Sequence, residues 1–243
     1  MSKKLSLKQY LMKSGRFQKT YDCVQAIKNG KVTLNNEVIT NPSHFFNPKK
    51  ELVKLDNEKL KTVQKLYFIM NKPAGYLSQK SNDEKNIYDL LNNISLPRES
   101  VLSLHAVGRL DKETEGLLIL TNDGKLSNII MEPKSEIMKK YYAILENRVD
   151  KGKTKDLEKG IEIETDEQKY KTKPCKIKIV GEKEVYISIS EGKKRQIRLM
   201  FESIGNKAVY LRRVSIAGLQ LGKMNVGEIK QITREEIMEK LEF

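Results

Sequence analysis

The tripeptide Arg109-Leu110-Asp111 stands shortly ahead of an apolar run, Gly116-Leu117-Leu118-Ile119-Leu120. A carboxylate can act as a nucleophile or as a base, and a loop Asp braced by strands on both sides is held firmly enough for chemistry. Taken alone, an Arg-x-Asp tripeptide more often marks a surface ion pair. Other reactive side chains are scarce. Two histidines, His44 and His105, and two well-separated cysteines, Cys23 and Cys175, leave little material for a serine-histidine triad or a metal site, so no metal and no disulfide framework are expected. His105, although close to the tripeptide, is expected to be structural.

The elements that must hold Asp111 belong to a chain of 243 residues, long enough for a large domain and a small one. No apolar run approaches the roughly 20 residues of a membrane span, and the start "MSKKLSLKQYLMKSG" lacks the apolar centre of a signal peptide. The expectation is a cytoplasmic protein without membrane contact, and a monomer. Its net charge of +14 points to a polyanionic partner, nucleic acid before membrane. Residues 1–60 hold 12 Lys or Arg against 5 Asp or Glu, half of that charge in about a quarter of the chain.

This basic segment has its own pattern. Leu7, Tyr10 and Leu11 share one face of a short helix ended near Gly15, and Val24 and Ile27 share a face of a second, closed by Asn29-Gly30. "KVTLNNEVI" then reads as strand, Asn35-Asn36 turn and strand. Arg16, Lys19, Lys28 and Lys31 lie around the helix ends and make a basic platform. "ELVKLDNEKLKTVQK" reads as a last strand running into a Lys-rich connector, which predicts a module at 1–61 and a larger domain at 62–243.

The larger domain opens with an apolar strand, "LYFIMN", broken at Lys72-Pro73-Ala74-Gly75. "VLSLHAVG", "GLLIL" and the alternating "VYISIS" are further strand candidates. "KLSNIIM", the charged stretch near 151–160 and "KRQIRLMFESI" read as helices, and Thr121-Asn122-Asp123-Gly124 as a turn. The class is α+β: a catalytic domain on a mixed, largely antiparallel sheet with flanking helices, plus the small N-terminal α/β module.

Four stretches, "KPAG", "HAVGRLDKETEGLLILTNDG", "KKYYAI" and "EGKKRQIRLMFESIGNKAVYLRRVSIAGLQLG", resemble in that order the motifs of the ribosomal RNA pseudouridine synthases of the RsuA and RluB/E/F type. Residues from about 5 to 55 resemble the alpha-L RNA-binding motif that many such enzymes carry. Where that motif has Ser-Arg-Arg and a turn glycine, this chain has Lys19-Thr20-Tyr21 and Asn36. The resemblance implies an isomerase that turns a uridine of ribosomal RNA, free or in assembly intermediates, into pseudouridine without a cofactor. It implies Asp111 as the catalytic carboxylate, Tyr142 as the active-site tyrosine through a Lys-x-Tyr-x-Val spacing begun at Lys140, and Arg198 as the partner of Asp111. Arg109 would fill the space vacated by a flipped base or hold phosphate, with Lys72, Arg195, Arg212 and Arg213 along the path of the RNA.

Two rivals are weaker. A methyltransferase would need a glycine-rich cofactor loop, and no G-x-G-x-x-G occurs. A non-catalytic RNA-binding or ribosome-assembly factor would leave the Asp, Tyr and Arg set unexplained.

If the basic segment contacts RNA, deleting residues 1–60 weakens RNA binding and makes the fall of log affinity with log salt shallower. Binding isotherms over a range of salt concentrations check this, and an unchanged slope and affinity would assign the segment no RNA contact.

Overall fold

Alternation builds the main sheet. Val185, Ile187 and Ile189 share one buried face of strand Glu184–Ile189, and Tyr141, Ala143 and Leu145 share one of strand Lys139–Leu145. In the computed structural model, which describes residues 4–17, 19–60, 64–92, 94–165 and 168–241, both strands belong to a nine-stranded sheet. Its main path runs Lys176–Ile179, Glu184–Ile189, Lys139–Leu145, Ala208–Ile216, Glu115–Thr121, Tyr67–Lys72 and Ile229–Gln231. Neighbours on this path are antiparallel except Ala208–Ile216 and Glu115–Thr121, which run parallel. The class is therefore α+β on a mixed, mostly antiparallel sheet.

Two compact units divide the chain: Met1–Leu66 with Leu91–His105, and Tyr67–Leu90 with Ala106–Phe243. The expected boundary between 61 and 62 falls on residues 61–63, outside the described residues.

In the larger unit, helix Gln196–Ser203 lays Ile197, Met200 and Phe201 against Val185, Ile187 and Leu211 in one apolar core. Helices Gly124–Met131 and Arg234–Leu241 bury Leu126, Ile130, Ile237 and Leu241 in a second core with Ile69, Leu117 and Ile119. The expected turn at 121–124 is instead a helix start. The Asp123 side chain accepts from the Lys125 backbone N–H at 3.2 Å and from the Tyr67 hydroxyl at 3.0 Å. Among the described residues no helix is long and apolar enough to cross a membrane.

In the smaller unit, Ser6 and Gln9 cap helix Leu7–Lys13 reciprocally. Leu7, Leu11, Cys23, Ile27, Val32 and Phe46 form its core. Asn35 and Asn36, at φ 50° and 72°, turn strand Val32–Leu34 into Glu37–Val38. Two of the expected elements differ. The stretch after Val53 is a second hairpin, Val53–Leu55 with Glu58–Lys59, turned by Asp56 and Asn57 at φ 48° and 66°. The first half of "VLSLHAVG" is helical, as part of Arg98–Ser103, because Pro97 at the N-cap starts a helix before the apolar run begins.

One glycine is required by the sheet. Gly116 faces Lys72 across the antiparallel pair and Arg213 across the parallel pair, at φ +110°. A Cβ there would lie 2.2 Å from the Arg213 carbonyl oxygen and 2.6 Å from its amide nitrogen. Gly116→Ala should therefore cost about 2–5 kcal/mol, from the left-handed backbone and the collision together. Gly124→Ala, with open space around it, should stay within about 0.5 kcal/mol. Denaturant midpoints of the two variants check the contrast, and equal midpoints would contradict it.

Candidate active site

Asp111 lies at the edge of a cavity of about 70 Å³ within the larger unit. The walls come from three elements: the loop with Arg109, Leu110 and Thr114, the sheet face with Tyr141, Ile189 and Leu211, and the start of helix Gln196–Ser203 with Gln196 and Ile197. Asp111 is half-buried, and among the described residues no Lys, Arg or His nitrogen comes within 4 Å of its carboxylate.

The cations grip the backbone of the loop instead. Lys72 is fully buried, and its Nζ donates to the carbonyls of Pro73 at 2.9 Å, Lys112 at 3.2 Å and Thr114 at 2.9 Å. Arg198, also buried, donates to the carbonyl of Ala208 and, at 3.4 Å, to that of Glu113. Three successive carbonyls, 112 to 114, are thus each held by a cation. The Thr114 amide closes the turn onto the Asp111 carbonyl at 3.0 Å.

This corrects two expectations. Arg198 does not pair with the Asp111 carboxylate, because its bonds to the carbonyls of Ala208 and Glu113 commit its guanidinium to main-chain oxygens. Lys72 does not line an RNA path, because it is buried beneath the loop. Burial pushes its amine down to about 8, against the opposing pull of Glu113, Asp111 and Glu115.

Strand parity corrects the tyrosine. Lys139, Tyr141, Ala143 and Leu145 alternate with Lys140, Tyr142 and Ile144, so only one tyrosine can face the cavity. Tyr141 does, buried among Leu110, Ile189 and Leu211. Tyr142 points to the opposite face, donates its hydroxyl to Glu184 Oε2 at 2.6 Å, and has rings of Tyr186 and Tyr210 nearby, at 5.5 and 6.1 Å. That hydrogen bond pushes the Tyr142 hydroxyl up to about 12. The Lys-x-Tyr-x spacing is also met from Lys139, and that register selects Tyr141. The apolar partners Ala143 and Leu145 were the available signal.

The same parity splits Arg212 from Arg213. Arg213 is buried on the cavity face; its Nε donates to Leu117 O at 2.7 Å and one Nη lies 3.5 Å from the Tyr141 hydroxyl oxygen. Arg212 sits opposite Tyr142 and Glu115, on the other face. Neither lines the cavity, which corrects the expectation for both. Arg109 is exposed at the rim, as is Lys193, which the sequence reading missed. Arg195 is exposed and lies 3.7 Å from Glu202 of its own helix. Gln196, also missed, is buried and donates to Glu191 Oε1 at 2.7 Å. In the smaller unit Arg16 is paired with Glu58 at 2.7 Å, and Lys19, Lys28 and Lys31 are exposed.

Comparison with known proteins covers nearly all of this chain. The family described as RNA pseudouridylate synthase matches residues 66–203. The chain is 34% identical to ribosomal large subunit pseudouridine synthase B of Bacillus subtilis, over 88% of this chain and 86% of that protein. It is 32% identical to ribosomal small subunit pseudouridine synthase A of Escherichia coli, over 87% and 89%. A crystal structure of a pseudouridylate synthase superposes with a TM-score of 0.68 at 30% identity, covering 98% of this chain and 99% of that one.

The lowered Lys72 amine gives a pH signature. Above about 8 the neutral amine keeps two N–H donors for three carbonyls, so turnover should fall with rising pH through that value, and Lys72→Met should lose this alkaline limb along with most activity. Stability should move the other way. Between about 8 and the ordinary 10.5 the folded chain has released a proton that the unfolded chain still binds, so the Lys72 contribution rises with pH. Rate profiles and denaturation across that window test both signs.

Proposed function

Because the chain belongs to the RNA pseudouridylate synthase family, we propose that its substrate is a uridine of ribosomal RNA and that Asp111 acts on that uridine in the cavity. The ribosomal target is supported by the two relatives that carry it in their names. The reaction breaks the bond from ribose to the base nitrogen, turns the uracil and joins ribose to ring carbon 5. No redox step, metal or phosphate energy is needed. A carboxylate can serve it as nucleophile or as the base that removes the ribose 2′ proton.

The observation that carries the assignment is a carboxylate without an ion pair among the described residues, at a cavity also lined by the buried Tyr141. An Asp already neutralised by a guanidinium would have to break that pair to react. A flat ring suits a base that must be held while it rotates, since stacking asks for few directional bonds. Arg213 backs the Tyr141 hydroxyl from behind the cavity.

The target uridine must be extruded from folded RNA to reach Asp111, at a cost of a few kcal/mol. In this reading Arg109 and Lys193, exposed at the rim, hold phosphate or fill the vacated stack. Lys19, Lys28 and Lys31 supply a further electrostatic contact from the N-terminal unit. Free ribosomal RNA and assembly intermediates in the cytoplasm are the proposed substrate forms.

The test is release of tritium from RNA labelled at uracil carbon 5, without metal or cofactor, since the new bond expels that hydrogen. Asp111→Asn should abolish release while RNA affinity holds or rises slightly, one negative charge having been removed. Tyr141→Ala should lose about a hundredfold or more and Tyr142→Ala only a few-fold, because they lie on opposite faces. A fully active Asn variant would mean that another group does the chemistry; no release by wild type from either ribosomal RNA would remove support for the ribosomal target.

A further inference from the structure

Among the described residues four threonines are buried: Thr114, Thr121, Thr154 and Thr172. Three have a visible use for the hydroxyl. Thr121 accepts from the Asp123 amide at 3.0 Å, Thr154 donates to the Lys151 carbonyl at 3.1 Å, and Thr172 accepts from the Ile161 amide at 3.0 Å. Thr114 is 1% exposed, and among the described residues its Oγ1 has no hydrogen-bond partner.

A buried hydroxyl left unpaired is costly, and buried polar groups are paired in the great majority of cases. Nothing in the local backbone excuses this one. The Thr114 amide is used by Asp111 and its carbonyl by Lys72. The residue is therefore fixed at both ends, with a side chain lining the same cavity as Asp111 and Tyr141. Among the described residues its hydroxyl is the buried side-chain polar atom of that wall without a protein partner. Valine has nearly the same shape, would fill the wall and would avoid the unpaired group, so the hydroxyl serves no packing need.

From this geometry we infer that Thr114 is a substrate-binding residue, whose hydroxyl forms a hydrogen bond with the uridine extruded into the cavity, through the uracil edge or a ribose hydroxyl. The inference rests on the reading of the cavity as the uridine site. A nucleotide seated against this wall would supply the hydrogen bond that the protein does not. Thr114 stands three residues after Asp111 in a turn closed by their own backbone bond, so a contact to its hydroxyl also fixes the nucleotide relative to the carboxylate.

Thr114→Val and Thr114→Ser, compared with wild type and Asp111→Asn on the same RNA, test this. The Val variant should melt at the wild-type temperature or above, since it removes an unsatisfied buried group, yet lose about tenfold to a hundredfold in kcat/KM, because the substrate's polar atom is left unpaired. The Ser variant should recover activity to within a few-fold. RNA with 2′-deoxyuridine at the target, bound in the Asp111→Asn background, separates the two partners: the Val penalty on affinity vanishes if the ribose hydroxyl is the partner and persists if it is the uracil edge.

A Val variant with wild-type kcat/KM overturns the inference. So does a Val variant that loses activity together with melting temperature and is not matched by recovery in Ser, which would mark a structural role. If Asp111→Asn is inactive while Thr114→Val is fully active, only the Thr114 assignment falls. If Asp111→Asn is fully active, the reading of the cavity falls and takes this inference with it.

Discussion

Two buried cations hold the loop that carries Asp111, and the arrangement of the site follows from the fact that they hold it by its main chain. Lys72 and Arg198 approach from different elements and are bonded to the carbonyls of residues 112, 113 and 114. Burying a positive charge is expensive unless its donors are satisfied and an opposite charge lies near. Here carbonyl dipoles satisfy most of the donors, and Asp111, Glu113 and Glu115 supply a compensating field around Lys72. Direct pairing with Asp111 would satisfy one cation better but would occupy the carboxylate. Bonding to carbonyls fixes the position of Asp111 while leaving its side chain open to the cavity.

The sheet makes this arrangement possible through one rung. Tyr141 stands opposite Arg213, Arg213 opposite Gly116, and Gly116 opposite Lys72, across four adjacent strands. Residues on a rung share a face, so the Tyr141 wall of the cavity, the guanidinium beside it and the lysine beneath the loop are set by register alone. A glycine must sit between Arg213 and Lys72, because the strands approach too closely at the parallel pair for any Cβ. A slip of one residue would exchange Tyr141 for Tyr142 and Arg213 for Arg212, and turn the site inside out.

Local pattern in the sequence carried the strands and helices well. Alternation in "VYISIS", the Asn35-Asn36 turn and the apolar face of Gln196–Ser203 each depend on neighbouring residues only, and each is present in the fold. The loop position of Asp111 was legible for the same reason. What could not be read depended on neighbours distant in sequence. The burial of Lys72 is created by carbonyls some forty residues away, and nothing in "KPAG" records it. Arg198 looked free to meet Asp111 because its helix face was readable but the strand beside it, Ala208–Ile216, was not. The Tyr141-Tyr142 choice was a matter of parity that the doubled Lys and doubled Tyr disguised, and only the apolar partners Ala143 and Leu145 could have resolved it. The Asp56-Asn57 hairpin was hidden by its polar, Lys-rich surroundings, although the Asp-Asn pair is a turn signal of the same kind as Asn35-Asn36.

Some of the buried polar atoms without a partner belong to the loop and to the residues that brace it or Tyr141. Among the described residues the buried side-chain atoms without a partner are the Thr114 hydroxyl, one guanidinium nitrogen each of Arg198 and Arg213, and also Asn71 Oδ1, the Tyr170 hydroxyl and one nitrogen of Arg212. The first three lie on the loop or on residues that brace it or Tyr141. A fold selected for stability alone would pair these atoms or replace them with apolar side chains, since each lowers a margin of only some 5–15 kcal/mol for a typical domain. Of these residues Thr114 is the one that lines the cavity, as expected where a polar group is completed by something that is not part of the chain. A nucleotide, with acceptors and donors on a small rigid frame, can complete that hydroxyl, whereas an apolar ligand would leave it unpaired.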